Sequence, residues 1–153
     1  MNLLLLRHAE AVDDAPSDRE RPLTEKGKRQ AGVVGNYLRE HSINVDLVLS
    51  SPAVRTMETA KIVARSIKLD VFPAPWALPG MDPESALRAL DGFREFKRIL
   101  LVGHQPDIGG LVAKLLRLPD AHKFHIRKAS LFHLSLVANR AAILEAFVPC
   151  KLM

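Results

Sequence analysis

The sequence predicts an α/β fold with three layers, in which a mostly parallel central sheet is flanked by helices. Short, continuous apolar runs, such as residues 3–6 and residues 99–102 within the stretch from Arg98 to Val102, are typical of strands that are buried on both faces. Segments with helical spacing of apolar residues lie between these runs, and this alternation favours parallel strands joined by helices. With 153 residues, we expect a single domain over residues 1–153, large enough to bury a core without disulfides or metals.

The first strand is predicted at residues 3–6, four leucines that are followed by a polar stretch over residues 10–21. Pro22-Leu23-Thr24 then marks the start of a helix, with Thr24 as its N-cap. This helix is predicted to run to about Glu40. Its buried face consists of Ala31, Val34, Gly35 and Leu38.

The second strand is predicted at residues 45–50, and Pro52 suits the first position of the next helix, where a missing N–H costs nothing. Residues 71–72 form a candidate short strand. The prolines of residues 73–83 then forbid regular structure. The buried stripe of the second helix is expected to comprise Met57, Ala60, Val63, Ala64 and Ile67.

A third helix is predicted from Asp82, its N-cap, through Leu90. The strand over residues 98–102 follows, and a helix over residues 107–116 comes after it. Two further strands, at residues 130–137 and 141–148, are expected to complete the sheet as a hairpin.

Composition narrows the class of protein. No apolar stretch approaches the roughly 20 residues that span a bilayer, and the short leucine run lacks the features of a secretory signal. We therefore expect a cytoplasmic protein without membrane contact. Cys150 is the only cysteine, so no internal disulfide forms, and no activating partner indicates a role for its thiol.

The formal charge of +5 is spread along the chain and interleaved with acidic residues. One Tyr and one Trp offer little for base stacking, so we expect no nucleic-acid partner. The exception is a basic cluster over residues 122–128. It is interpreted either as a solvated turn or as a docking patch for an acidic or phosphorylated partner.

Three predicted strands end beside a cation or an imidazole: Arg7-His8, Ser51-Pro52 with Arg55, and Gly103-His104. If these strands are parallel, all three loops lie at one edge of the sheet. Two guanidinium groups and a helix N-terminus suit phosphoryl oxygens, and a neutral imidazole nitrogen can attack phosphorus. The sequence therefore predicts a phosphoryl pocket with a histidine nucleophile.

The motifs at these positions resemble those of the histidine phosphatase superfamily. Residues 5–10, Leu-Leu-Arg-His-Ala-Glu, are similar to its Arg-His-Gly signature, with Ala9 in place of the usual glycine. Three further blocks follow in the superfamily's order, and the spacing and short length are most similar to the SixA-like phosphohistidine phosphatases. These blocks are Arg21-Pro22-Leu23-Thr24-Glu25-Lys26-Gly27, Ser50-Ser51-Pro52 through Arg55 to Ala60, and Val102-Gly103-His104-Gln105-Pro106.

The resemblance implies a phosphoglycerate mutase-like fold and a role for each matched residue. His8 is the implied nucleophile, Arg7 and Arg55 hold the phosphoryl oxygens, and His104 donates to them. The site residues of the SixA-like branch also match Asp18 and Arg21, which are expected to line the substrate site. No metal and no organic cofactor are expected.

The short segment between the Arg55 helix and the His104 strand leaves no room for the lid insertion that larger superfamily members carry. An uncovered pocket favours phosphohistidine on another protein, such as a histidine-phosphotransfer type domain or a phosphocarrier. Imidazole also leaves well without a strong general acid. Glu10, Asp18 and Asp82 remain the candidates for such an acid.

Two alternatives stay open: a phosphatase for small esters such as sugar phosphates or nucleotides, and a non-catalytic module that binds phosphate. His122 and His125 are interpreted as part of a surface turn rather than a metal pair, because no third ligand is evident. His41 is expected at a helix end and His133 in a strand.

Overall fold

The first strand, β1, lies in the middle of a six-stranded sheet in the computed structural model, which describes residues 1–120 and 124–153. The strand order is β3-β2-β4-β1-β5-β6. The strands are β1 (Asn2–Arg7), β2 (Leu47–Ser50), β3 (Val71–Pro73), β4 (Arg98–Gly103), β5 (Leu131–Leu136) and β6 (Ala142–Val148). The helices are α1 (Glu25–Glu40), α2 (Val54–Ile67), α3 (Pro83–Leu90) and α4 (Asp107–Leu115).

The sheet is mostly parallel, as predicted. Strands β1, β2 and β3 run parallel to their neighbours in the β3-β2-β4-β1 half, whereas β5 and β6 add an antiparallel hairpin beside β1. Arg7 pairs with Gly103, and Ser50 pairs with Val102. The carboxyl ends of β1, β2 and β4 therefore lie level with one another at one edge of the sheet.

The three-layer architecture is confirmed by the two cores on opposite faces of the sheet. Alternate residues of a strand point to opposite faces, so Leu4 and Leu6 of β1 pack with α1 and α2, whereas Leu3 and Leu5 pack with α3 and α4. These leucines are fully buried. Because both faces are covered, the central strands β1 and β4 consist mainly of continuous apolar runs.

Helix α1 follows the prediction closely. It ends at Glu40, and the Thr24 hydroxyl accepts a hydrogen bond from the backbone N–H of Gly27 at 3.0 Å, so the N-cap is confirmed. Gly27 also touches the loop after β1, since a Cβ at this position would lie 1.9 Å from the carbonyl oxygen of Glu10. Glycine thus permits a close backbone contact between α1 and that loop.

The predicted start of α2 at Pro52 was wrong. Ala53 is extended, with ψ of 145°, and is the N-cap of a helix that begins at Val54. The Thr56 hydroxyl satisfies the carbonyls of Ser51 and Ala53, each at 2.8 Å. The buried stripe also differs, because Met57 and Ile67 are half-buried while Arg55, Thr56 and Thr59 are buried.

The proline-rich segment is more regular than predicted. Pro73 belongs to β3, which pairs only with β2, so its missing N–H costs no ladder hydrogen bond at this edge. Pro75–Ala77 forms a 3₁₀ turn. Asp82 caps α3 as predicted, accepting from the Ser85 N–H at 2.8 Å.

Between α2 and β4, the chain forms only β3, short 3₁₀ turns and α3, and these elements pack into the three layers. No lid is evident over the described part of the molecule, in agreement with the prediction. Within residues 1–120 and 124–153, no helix is both long and apolar enough to cross a bilayer.

Candidate active site

The level ends of β1, β2 and β4 bring four predicted site residues together. Arg7 ends β1, His8 follows it, Arg55 lies in the first turn of α2, and His104 follows β4. The His8 and His104 ring centroids are 5.5 Å apart, and Arg55 Nη2 lies 3.2 Å from His104 Nδ1. His8, Arg55 and His104 are each at most 4% exposed, so the pocket is deep although it has no lid.

The protonation of the His8 ring follows from its contacts. Nδ1 lies 2.7 Å from the carbonyl oxygen of Ala9. A carbonyl only accepts, so Nδ1 carries the proton and Nε2 keeps a free lone pair when the ring is neutral. Burial, together with the nearby Lys128 ammonium, lowers the pKa of His8 to about 3. The ring is therefore neutral at pH 7, with a nucleophilic Nε2.

The backbone around His8 is held from three directions. The His8 N–H donates to the Gly103 carbonyl at 3.0 Å, and the Ala9 N–H donates to the Thr59 hydroxyl at 3.1 Å. From the other side, the Ala129 N–H lies 3.2 Å from the His8 carbonyl. These bonds join β4 and the segment before β5 to His8 and join α2 to the adjacent Ala9, so the backbone that carries the ring is fixed.

His104 adopts the opposite tautomer. The Arg55 guanidinium only donates, so His104 Nδ1 accepts from it, and the Nε2–H donates to the Ser51 hydroxyl at 2.8 Å. Burial and then the charge of Arg55 lower the pKa of His104 to about 4. Both imidazoles are therefore uncharged at neutral pH, and the positive charge of the pocket comes from its arginines and a lysine.

Asp18 holds the Arg55 guanidinium. Arg55 Nη1 donates to the Asp18 carbonyl, and Nη2 donates to Asp18 Oδ2 at 2.9 Å. Hydrogen bonds from Arg21 and then Arg55 lower the pKa of the Asp18 carboxyl. The Arg21 side chain donates to the Val12 carbonyl and to the carboxylates of Asp13 and Asp18, all within the loop between β1 and α1. Asp18 thus holds Arg55 directly, and Arg21 holds the Asp18 carboxylate.

Several buried donors around the pocket lack partners within residues 1–120 and 124–153. They are Arg7 Nε, Arg55 Nε and the Ser130 hydroxyl. Arg7 otherwise donates Nη1 to the Ile126 carbonyl at 2.6 Å. Unsatisfied buried donors are costly, and a ligand that brings acceptor oxygens, such as a phosphoryl group, relieves that cost.

Sequence reasoning gave three residues of the site no role in the pocket, although Ser51 and Thr59 lie in matched blocks and Lys128 lies in the basic cluster over residues 122–128. Ser51 and Thr59 bond His104 and the Ala9 backbone, and Lys128 precedes the residue that is tied to His8. Burial first, and then the charges of Arg7, Arg21 and Arg55, lower the pKa of Lys128 to about 8. Its sequence signal was that basic cluster, and the structure places Lys128 three residues before β5, which pairs with β1.

The three candidate general acids are engaged as acceptors. Glu10 binds Lys26 at 2.9 Å and the Thr24 hydroxyl at 3.0 Å, and these bonds lower its pKa. The Ser85 bonds lower the pKa of Asp82, as the arginines do for Asp18. All three carboxyls therefore favour the ionised form, which cannot supply a proton at pH 7.

The remaining sequence interpretations concern residues away from the pocket. His122 and Lys123 lie outside the described residues, so neither the whole basic cluster nor the His122–His125 pair can be placed. Across the described ranges, no group of three or more His, Cys, Asp or Glu is arranged to hold a metal. His41 caps the carboxyl end of α1, with Nδ1 3.0 Å from the Tyr37 carbonyl.

His133 and Cys150 also lie where the sequence placed them. His133 is in β5, with Nε2 2.9 Å from Asn2 Oδ1. Cys150 is a half-buried free thiol whose pKa is raised by burial. Neither residue contacts the four pocket side chains in the hydrogen bonds of the described residues.

Comparisons of the sequence with known families and curated proteins agree with one another. The sequence model of the histidine phosphatase superfamily (branch 1) matches residues 3–75. A phosphohistidine phosphatase SixA homolog of Haemophilus influenzae is 33% identical over 126 residues, covering 75% of this chain and 77% of that relative.

Solved structures show the same fold. The protein histidine phosphatase SixA complexed with tungstate superposes with a TM-score of 0.91 at 23% identity, covering 99% of this chain and 98% of that one. The alpha-ribazole phosphatase of Shigella flexneri has a TM-score of 0.81 at 23% identity, covering 98% and 97%.

Proposed function

As a SixA-like member of the histidine phosphatase superfamily, this chain is a phosphatase, and we propose that it removes phosphate from phosphohistidine on a protein through a covalent intermediate on His8. The observation that carries this proposal is the locked neutral tautomer of His8. Its Nδ1–H is held by the Ala9 carbonyl, and its Nε2 has no hydrogen-bond partner among residues 1–120 and 124–153. No proton has to be removed before this nitrogen attacks phosphorus.

The first step transfers the phosphoryl group between two imidazoles. His8 Nε2 forms a bond to phosphorus while the bond from phosphorus to the substrate nitrogen breaks. The substrate ring, protonated on its other nitrogen, leaves as neutral imidazole, and His8 becomes a phosphoimidazolium with its Nδ1–H still bound to Ala9. In the second step a water oxygen bonds to phosphorus and the bond to Nε2 breaks. Inorganic phosphate and neutral His8 are the products, and any excess proton passes to solvent.

The pocket stabilises the charge that develops on the transferring group. In this proposal, Arg7 and Arg55 donate to the phosphoryl oxygens, and their fixed positions avoid reorganisation during the reaction. The family resemblance makes His104 a further donor to these oxygens, and in this proposal it also orients Arg55, whose Nη2 donates to His104 Nδ1 at 3.2 Å. Asp18 and Thr59 are positioning residues, since they hold the Arg55 guanidinium and the Ala9 backbone.

Leaving-group chemistry favours phosphohistidine over an alkyl ester, and the depth of the pocket requires a side chain that reaches His8. The carboxyls of Glu10, Asp18 and Asp82 all have lowered pKa values, so each is a poor acid for an alkoxide leaving group, whereas imidazole needs none. His8 is only 4% exposed, so the phosphoryl group must be carried at the end of a slender side chain. A phosphohistidine that projects from a phosphotransfer domain or phosphocarrier meets both conditions.

Transient labelling tests this proposal. The enzyme is mixed with a protein carrying ³²P-phosphohistidine and is quenched in base, where phosphohistidine survives. We expect label on the wild-type chain, none on His8→Ala, and wild-type labelling of His41→Ala, which replaces an exposed histidine outside the pocket. Absence of label from the wild type, or normal turnover by His8→Ala, would disprove the covalent mechanism.

A phosphatase for small esters is the second candidate, because the same fold occurs in an alpha-ribazole phosphatase. Comparison of kcat/KM for phosphohistidine proteins with that for sugar phosphates and nucleotides separates the two substrate classes. The third expectation, a module that binds phosphate without turnover, is set aside because the relatives are phosphatases.

A further inference from the structure

A groove beside the active site is rich in positive charge. It combines the loop after β1, the first turns of α1, the segment before β5 and the carboxyl end of the described chain. Its lining residues are Glu10, Lys26, Gln30, Arg127, Lys128, Pro149, Cys150 and Lys151. Four of these are cations and one is a carboxylate, so the groove carries a net positive charge.

Three of its cations have no acidic partner among the residues of known position. Lys26 pairs with Glu10 at 2.9 Å, which neutralises the one carboxylate. Arg127, Lys128 and Lys151 form no ion pair with the carboxylates of residues 1–120 and 124–153. Arg127 and Lys151 are exposed, and Lys128 is half-buried between them and the pocket. An anionic ligand is the chemical complement of such a surface.

The groove adjoins the phosphoryl pocket through the backbone on either side of His8. Glu10 lies two residues after His8, and Lys128 precedes Ala129, whose N–H is bonded to the carbonyls of Arg7 and His8. A polypeptide whose phosphohistidine reaches His8 therefore places its neighbouring residues along Lys128, Arg127 and Lys151. A free phosphate or a small ester is too short to fill both the pocket and the groove.

We propose that this cationic groove docks an acidic segment that flanks the phosphohistidine of a protein substrate. The inference rests on the proposed function, since it names the partner of the same site. Complementary charge outside the reaction centre speeds encounter and fixes the register of the substrate. A protein partner is favoured over nucleic acid, because no lining residue carries an aromatic ring on which a base can stack.

Binding tests the docking step without any turnover. Fluorescently labelled, unphosphorylated histidine peptides are prepared with flanking Asp and Glu, or with Asn and Gln at the same positions. The wild type is expected to bind the acidic peptide at least about tenfold more tightly, and added salt is expected to remove the difference. The double variant Arg127→Glu/Lys151→Glu should lose this preference.

A matched charge reversal provides the control. Lys61→Glu/Lys97→Glu removes the same amount of charge from two exposed lysines, one on α2 and one just before β4 at the opposite edge of the sheet. This variant should bind the acidic peptide within about twofold of the wild type, because exposed charges beyond a Debye length contribute little.

Kinetics connect the groove to the reaction. With chemically phosphorylated peptides, the groove variant should lose about tenfold in kcat/KM for the acidic peptide and keep wild-type kcat/KM for free phosphohistidine. Equal affinity of the wild type for both peptides, or equal losses in the two double variants, overturns the docking surface. Tighter binding of a single-stranded oligonucleotide than of the acidic peptide also overturns it.

The docking inference and the proposed function fail in different ways. If no phosphohistidine is hydrolysed by the wild type, the proposed function fails, while the binding experiment still decides whether the groove selects acidic peptides. If free phosphohistidine is turned over but acidic flanks have no effect on binding or kcat/KM, the docking inference alone is wrong.

Discussion

The rings of His8 and His104 lie with their centroids 5.5 Å apart and their planes tilted by 58°. Arg55 contacts the second ring at 3.2 Å. Two imidazolium ions beside a guanidinium would repel one another, and burial also disfavours their charge. The resting site therefore holds two neutral histidines, and this state gives the first prediction.

Stability should fall when the protein is acidified below pH 6.5. The folded-state pKa values of His8 and His104 are about 3 and about 4, so the unfolded chain binds more protons between these values and 6.5. Each group contributes a slope of up to about 1.4 kcal/mol per pH unit in this window. Urea unfolding measured from pH 7 to pH 4.5 should show a shallower slope for His8→Asn. Parallel curves for the two proteins would contradict the shifted pKa of His8.

Lys128 should produce a basic limb in the activity profile. Burial and the charges of Arg7, Arg21 and Arg55 lower its pKa to about 8, while Asp13 opposes the shift. Above this pH the ammonium loses its proton and attracts the phosphoryl group less. We expect kcat/KM for free phosphohistidine to decline above pH 8 in the wild type.

Two substitutions at Lys128 test whether its ammonium causes the decline of kcat/KM above pH 8. Lys128→Arg should remain active at pH 9, because a guanidinium keeps its charge. Lys128→Met should lose about tenfold in kcat/KM at pH 7 and show no basic limb with the wild-type midpoint. A persistent limb in Lys128→Met would belong to another group.

Asp18→Asn should impair catalysis more than stability. It weakens the bond that orients Arg55 Nη2, and displacement of a guanidinium from the reacting group lowers kcat/KM by about 10- to 100-fold. The exposed carboxylate contributes at most about 1 kcal/mol to folding. Asp13→Asn is the matched control. Asp13 is fully exposed and pairs with Arg21 rather than with Arg55, so this variant should retain activity. Equal activity of the two variants would show that Asp18 does not orient Arg55 for catalysis.

Gly27→Ala and Gly32→Ala, five residues apart in α1, should have opposite effects on stability. A Cβ at Gly27 meets the Glu10 carbonyl at 1.9 Å, and such overpacking costs about 1–3 kcal/mol. A Cβ at Gly32 meets no atom within 4 Å, so alanine should stabilise the helix by up to about 1 kcal/mol. Thermal unfolding of both variants measures the difference. A Gly27→Ala protein as stable as the wild type would show that the loop after β1 moves to accommodate the added Cβ at no cost in free energy of unfolding.

The convergence of His8, Arg55 and His104 was predictable because parallel strands joined by helices place their carboxyl ends at one edge. The apolar runs of residues 3–6 and 99–102 were sufficient to indicate that arrangement. The capping roles of Thr24 and Asp82 were also predictable, since each depends on a bond to an N–H three residues along.

Other features depend on contacts that local patterns do not encode. Thr59 reaches Ala9 across 50 residues, and Lys128 reaches the pocket only because β5 pairs with β1. The tautomer of His8 is set by the direction of a single carbonyl. The start of α2 at Val54 depends on the extended conformation of Ala53, which the Ser-Pro signal does not reveal.

The position of β1 between β4 and β5 has a consequence during synthesis. The Arg7 N–H is bonded to the Ser130 carbonyl, and the His8 N–H is bonded to the Gly103 carbonyl. A nascent chain that has not yet released residues 130–136 from the ribosome lacks one neighbour of the strand that carries its nucleophile. We therefore expect the pocket around His8 to form only after β5 has left the ribosome.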